Sequence, residues 1–154
     1  MIDLLFRILI IYLAVTHMKS SIVKLKDPYM FKIVLEDYKY MNKSISSVSS
    51  VFITTLEIMI VILLIIGLKE YLIIGIYIGV ILHLVFLFIM TINFGRDMPN
   101  GCGCFGLHSP TKINIRHIYV NLYLLLIFIV CLVYYKFFNI IHSFMLTTCI
   151  LFII

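Results

Sequence analysis

The chain has 154 residues, of which 64% are hydrophobic and only 12% charged, and it carries a formal net charge of +5. Its mean hydropathy is +1.19. A soluble domain is roughly half apolar and about a quarter charged, so a soluble domain of this length is excluded and the lipid bilayer must solvate much of the apolar surface. The length sets one domain, 1–154. The excess positive charge reports topology and contact with anionic headgroups. No Lys/Arg run interleaved with aromatics points to nucleic acid.

Taken in order, the first apolar segment covers about 2–16 and carries Asp3 and Arg7 near one end, where both can snorkel. It lacks a basic region ahead of it and a small-x-small cleavage site behind it, so it reads as a retained first helix, not a signal peptide. A polar connector follows from His17 to Lys43. Within it Asp27 is a helix cap and Pro28 fits the first helical position. Phe31, Val34, Leu35 and Tyr38 then recur at helical spacing, which predicts an interfacial amphipathic helix over 28–41. A clear span over 46–68 contains one charge, Glu57. The tight turn at Gly67–Glu70 makes the next span, 71–94, its antiparallel neighbour. Four glycines and two prolines between Gly95 and Pro110 argue against regular structure in a loop over 95–112. A fourth span covers 115–136 and ends at the interfacial Tyr134, Tyr135 and Lys136. The sequence Lys136-Phe137-Phe138-Asn139 reads as a turn, which makes 139–154 a candidate fifth span or an interfacial tail. The expected fold is an all-α, polytopic membrane four-helix bundle with an interfacial amphipathic helix.

The chemistry concentrates in Cys102-Gly103-Cys104-Phe105-Gly106. Two thiols separated by one residue close a small ring that fits disulfide geometry poorly. Strain of that kind makes the bond easier to reduce, which suits exchange better than stapling. Arg96, His108 and Lys112 favour the thiolate by their positive charge. Thiol–disulfide exchange by Cys102 and Cys104 is the leading reading. Zinc held by Cys102, Cys104 and His108, with His117 as a further ligand, is the weaker one, because structural zinc sites favour two-residue spacing. A purely structural loop is the third. Cys131 and Cys149 lie in apolar runs and read as small packing residues.

From about Lys24 to Asn121 the chain resembles the MauE family of methylamine-utilisation membrane proteins, which are related to DoxX. The residues that carry the resemblance are Lys24-Leu25-Lys26-Asp27-Pro28 with its short helix, the membrane-embedded Glu57, and Asn93 to Asp97 followed by Cys102-Gly103-Cys104-Phe105-Gly106. The family has an Arg-Asn pair entering its last helix. Here Asn121 fits, Val120 stands at the Arg position, and Arg116 lies one turn earlier. The resemblance implies a four-helix redox-associated protein of the bacterial cytoplasmic (inner) membrane. Its expected role is assisting maturation of methylamine dehydrogenase, whose beta subunit is rich in disulfides. The arrangement is similar to vitamin K epoxide reductase-type bundles, which makes a quinone the candidate electron acceptor. The expected partners are lipid and a cysteine-bearing client or a thioredoxin-like protein.

Glu57 lies near the middle of its span, where a carboxylate is costly unless it faces the bundle or is protonated. It is a candidate proton relay or a partner for His83 or Asn121; the plainer alternative is a neutral carboxyl bonded to a neighbouring helix. A non-catalytic assembly scaffold is the rival function. A small transporter using Glu57 and His83 is the third, and unbroken spans without inverted repeats count against it. The Lys19–Lys43 connector and the cysteine loop share a side of the membrane. The positive-inside rule puts that side in the cytoplasm, whereas disulfide chemistry favours the outer face, and the outer face is the expectation. A membrane-impermeant thiol reagent should therefore label Cys102 on intact cells; labelling only after lysis would contradict that topology.

Overall fold

The computed structural model of the chain describes residues 2–101 and 110–151. Five helices follow one another: α1 (Ile2–Lys26), α2 (Pro28–Glu36), α3 (Lys43–Ile66), α4 (Lys69–Ile92) and α5 (Ile115–Leu151). Two short strands, β1 (Asp97–Met98) and β2 (Thr111–Lys112), pair antiparallel between α4 and α5. Four helices are long and apolar enough to cross a membrane: Leu4–Lys26, Lys43–Ile66, Lys69–Ile92 and Ile115–Phe137. They run alternately up and down. α1 packs on α3, α3 on α4, α4 on α5, and α5 back on α1, which closes a four-helix ring.

Local chemistry sets the ends of these helices. Asp27 accepts a hydrogen bond from the Met30 amide at 2.9 Å, and Pro28 opens α2 as expected. Asn42 caps α3 by accepting from the Ile45 amide at 2.8 Å. α3 stops at Gly67, whose φ of 66° is the left-handed conformation that glycine adopts without a Cβ penalty.

The interior face of α3 is a regular stripe: Ser46, Ser50, Ile53, Glu57, Ile60 and Leu64 are all buried. This alternation of three and four residues keeps one face toward the partner helices. Two hydrophobic clusters share the stripe. The lower one joins Ile10, Leu13, Ile60, Leu64, Ile76, Leu124 and Phe128. The upper one joins Phe31, Val34, Leu35, Tyr38, Ile53, Met98 and Ile113. Glu57 lies between Ile53 and Ile60, at the junction of the two.

Several boundaries differ from the sequence expectation. The first helix does not stop near Thr16 but continues to Lys26. Its polar residues His17, Ser20, Ser21 and Lys24 recur on one face and point inward, while Met18, Ile22 and Leu25 face outward. A membrane helix can invert the usual amphipathic pattern in this way, so polarity alone does not end it. α2 ends at Glu36, short of the expected 41, and its stripe is buried on α3 and the β1–β2 hairpin. The loop after α4 contains a two-residue ladder at its base. Finally, α5 passes through Lys136–Asn139 without a turn, so 139–151 continues the same helix.

α4 approaches α5 closely at Gly79, where an added Cβ would overlap the fully buried ring of Phe128. Gly79→Ala should therefore destabilise the protein by about 1–3 kcal/mol in detergent unfolding. Adding Phe128→Leu should recover part of that loss; no recovery would mean that the ring is not what fills the space.

Candidate functional site

Lys24 and Glu57 meet in the middle of the bundle. The Lys24 ammonium donates to Glu57 Oε1 at 2.5 Å, and both side chains are only 2% exposed. Ser20, one turn before Lys24 on α1, donates to the same oxygen at 3.1 Å. The lysine also sits over two aromatic rings, with Nζ 4.9 Å from the Phe31 centroid and 5.7 Å from that of Phe86. A lysine near a helix end ordinarily snorkels to the interface. Lys19 and Lys26 are exposed, but Lys24 turns into the bundle.

Next to this pair lies a second polar group. The rings of His17 and His83 are 5.2 Å apart, edge to face, and both stack near Phe128. His83 is in turn 6.2 Å from Phe86, the ring that also faces Lys24. His83 Nδ1 lies 3.0 Å from the Gly79 carbonyl. A carbonyl only accepts, so Nδ1 carries the proton and a neutral ring leaves Nε2 as an acceptor. Asn121 of α5 donates to the His83 carbonyl at 3.1 Å. α1, α3, α4 and α5 thus each contribute a polar residue to one buried cluster.

The sequence singled out Glu57, His83 and Asn121. All three are buried, but the direct partner of Glu57 is Lys24, not His83 or Asn121. Lys24 and His17 are not paired with them by sequence, because both fall in the polar connector after the first apolar segment. The signal was present: His17, Ser20/Ser21 and Lys24 recur at three- and four-residue spacing, which is one helix face. Arg116 is exposed at the start of α5, and Val120 is also exposed. Cys131 packs in the lower cluster.

Cys102, Cys104 and His108 lie outside the described residues. Both ends of the segment that contains them are held, however. The Gly95 amide donates to the Ile113 carbonyl at 2.8 Å, and the Ile113 amide donates to the Arg96 carbonyl at 3.0 Å. Met98 and Ile113 are buried in the upper cluster. Asn100 donates to Asp37 at 2.9 Å, and Asn93 accepts from the Lys39 amide at 2.7 Å. The α2 connector therefore braces the hairpin that leads into the cysteine motif. Among the described residues no cluster of three His, Cys, Asp or Glu side chains could hold a metal ion. His117 accepts from the Asn114 amide at 3.3 Å.

Breaking a buried ion pair costs far more than removing it whole, because the remaining charge stays uncompensated. Lys24→Met alone and Glu57→Leu alone should each destabilise by about 3–5 kcal/mol, whereas the double variant should come close to the parent. Unfolding in detergent reads all four states. Losses that simply add would show that the pair is not coupled.

No characterised protein and no solved structure matches the chain. A family model does: that of methylamine utilisation protein MauE, over residues 2–134. That match takes in three spans, nearly all of the fourth, the braced hairpin and the buried cluster, and the chain belongs to the MauE family.

Proposed function

We propose that this multi-pass membrane protein supports thiol–disulfide exchange in the maturation of a client protein, with Cys102 and Cys104 as the exchanging pair. The observation that supports this reading is the brace on the residues that flank the cysteine motif: the ladder of Asp97–Met98 with Thr111–Lys112, the burial of Met98 and Ile113, and the tie from Asn100 to Asp37. Such fixing of both ends is what a site needs to present a strained pair to a partner at a defined height above the bundle. Family membership supports the same reading.

The chemistry balances as two exchanges. A client thiolate attacks one sulfur of the Cys102–Cys104 disulfide, forms a mixed disulfide and releases the other sulfur as thiolate. A second client thiol then resolves the mixed disulfide, which leaves an oxidised client and a reduced Cys102/Cys104 pair. Reoxidation passes two electrons and two protons to an acceptor, for which a membrane quinone is the fitting class; a thioredoxin-like partner is the protein alternative. Glu57, with Lys24, is the proposed proton relay. Placement of the dithiol at the outer face of a bacterial cytoplasmic membrane gives it access to exported clients. In this family the proposed client is the disulfide-rich beta subunit of methylamine dehydrogenase.

Cys104→Ser should trap mixed disulfides with clients or abolish maturation, and Cys102→Ser/Cys104→Ser should abolish it. Non-reducing electrophoresis with mass spectrometry of trapped partners reads both outcomes. Full client maturation by the double variant would refute exchange and leave a non-catalytic assembly scaffold.

A further inference from the structure

The buried cluster is incomplete in one respect. Both ring nitrogens of His17 and the second oxygen of Glu57, Oε2, are buried and find no hydrogen-bond partner among the described residues. His17 is 4% exposed and Glu57 2%. Glu57 of α3 is joined to α1 through Ser20, which donates to Oε1 and lies one turn from His17 on the same helix face. A neutral imidazole presents one donor and one acceptor, and a carboxylate oxygen presents an acceptor. Polar groups buried in hydrocarbon without partners are expensive, and native structures satisfy nearly all of them. The need here is specific. A pure acceptor cannot serve Glu57 Oε2, and a pure donor cannot serve the N–H of His17.

We propose that the bundle binds a hydroxylic oxygen, one that donates and accepts at once, against His17 and Glu57 Oε2. Two sources have that chemistry: an ordered water and the hydroxyl of a hydroquinone. The surroundings suit either. The aromatic rings of Phe86 and Phe128 lie beside the histidines, so apolar faces adjoin the polar edge formed by His17 and His83. Nε2 of His83 adds a further acceptor next to His17. The site stands on these groups alone. Its role in the redox cycle rests on the proposed exchange at Cys102 and Cys104. Oxidation of that dithiol gives up two electrons and two protons, and reduction of a quinone to a hydroquinone takes up both. A hydroxylic oxygen between Glu57 and His17 provides a path for those protons inside the membrane.

The full-length protein carrying isotope-labelled histidine, in quinone-free lipid nanodiscs, tests the site by nuclear magnetic resonance. His17→Phe keeps the ring's bulk, drops both nitrogens and identifies the His17 signals by their loss. The proposal expects hydrogen-bonded ring nitrogens at His17 and a lowered thermal midpoint for His17→Phe. His17→Gln, which keeps a donor and an acceptor, should recover part of that loss. Titration with a short-chain hydroquinone distinguishes the sources: a saturable shift of the His17 signals assigns the hydroquinone, and unchanged signals assign water. Removing nitrogens that bind nothing should be neutral or stabilising. Hence free-imidazole signals in both preparations, or a His17→Phe variant as stable as the parent in both, overturns the proposal. Cys102→Ser/Cys104→Ser should leave the His17 signals unchanged while abolishing exchange, so the site and the redox reading fail separately.

Discussion

The structure depends on one electrostatic constraint, the pairing of Lys24 with Glu57 inside the bundle. Neither charge is tolerable there alone. Moving an ion from water into a low-dielectric interior costs several kcal/mol even after relaxation, so each residue is acceptable only because the other is within hydrogen-bonding distance. The pair ties the last turns of α1 to a point on α3 about 20 Å below that helix's start. That tie fixes the height of the Asp27–Pro28 break against α3, and therefore where α2 packs. α2 then covers the upper half of α3 and forms the floor on which the hairpin rests. The position of the hairpin follows from this chain of contacts.

The pair also divides the interior. Below it the core is a ring of aliphatic side chains closed by Phe128 against Gly79. Above it α2, the hairpin and the top of α3 form a smaller apolar cluster. A polar layer between two apolar ones is costly in stability, and membrane proteins that keep ionisable residues at such positions generally use them. The layer here draws residues from all four spans, with His17, Ser20 and Lys24 from α1, Glu57 from α3, His83 from α4 and Asn121 from α5. Its placement beneath the hairpin puts proton-bearing groups below the residues that lead into the cysteine motif.

Much of this was legible in the sequence. The spans of α3 and α4 are nearly continuous apolar runs, and composition alone finds them. The Asp27–Pro28 start and the Gly67 stop follow from backbone chemistry that does not depend on context. The first helix outruns its apolar signal because the second half of α1 hides its polar residues inside and shows Met18, Ile22 and Leu25 outside. For the same reason Lys24 read as a headgroup lysine. Its real partner is thirty-three residues away, a separation no local pattern encodes. The end of α5 failed in the opposite sense: Lys136 and Asn139 look like a turn, but neither is a strong helix breaker, and the helix runs through them.

The Lys24–Glu57 pair holds the second half of α1, and through it α2 and the hairpin, in place. Amide hydrogen exchange of Glu57→Leu against the parent in nanodiscs reads this segment by segment. Exchange should be faster across residues 17–36 and 93–101, with residues 4–14 and the lower half of α4 as protected as in the parent. Unchanged exchange at 17–36, or an equal rise along the whole chain, would contradict it.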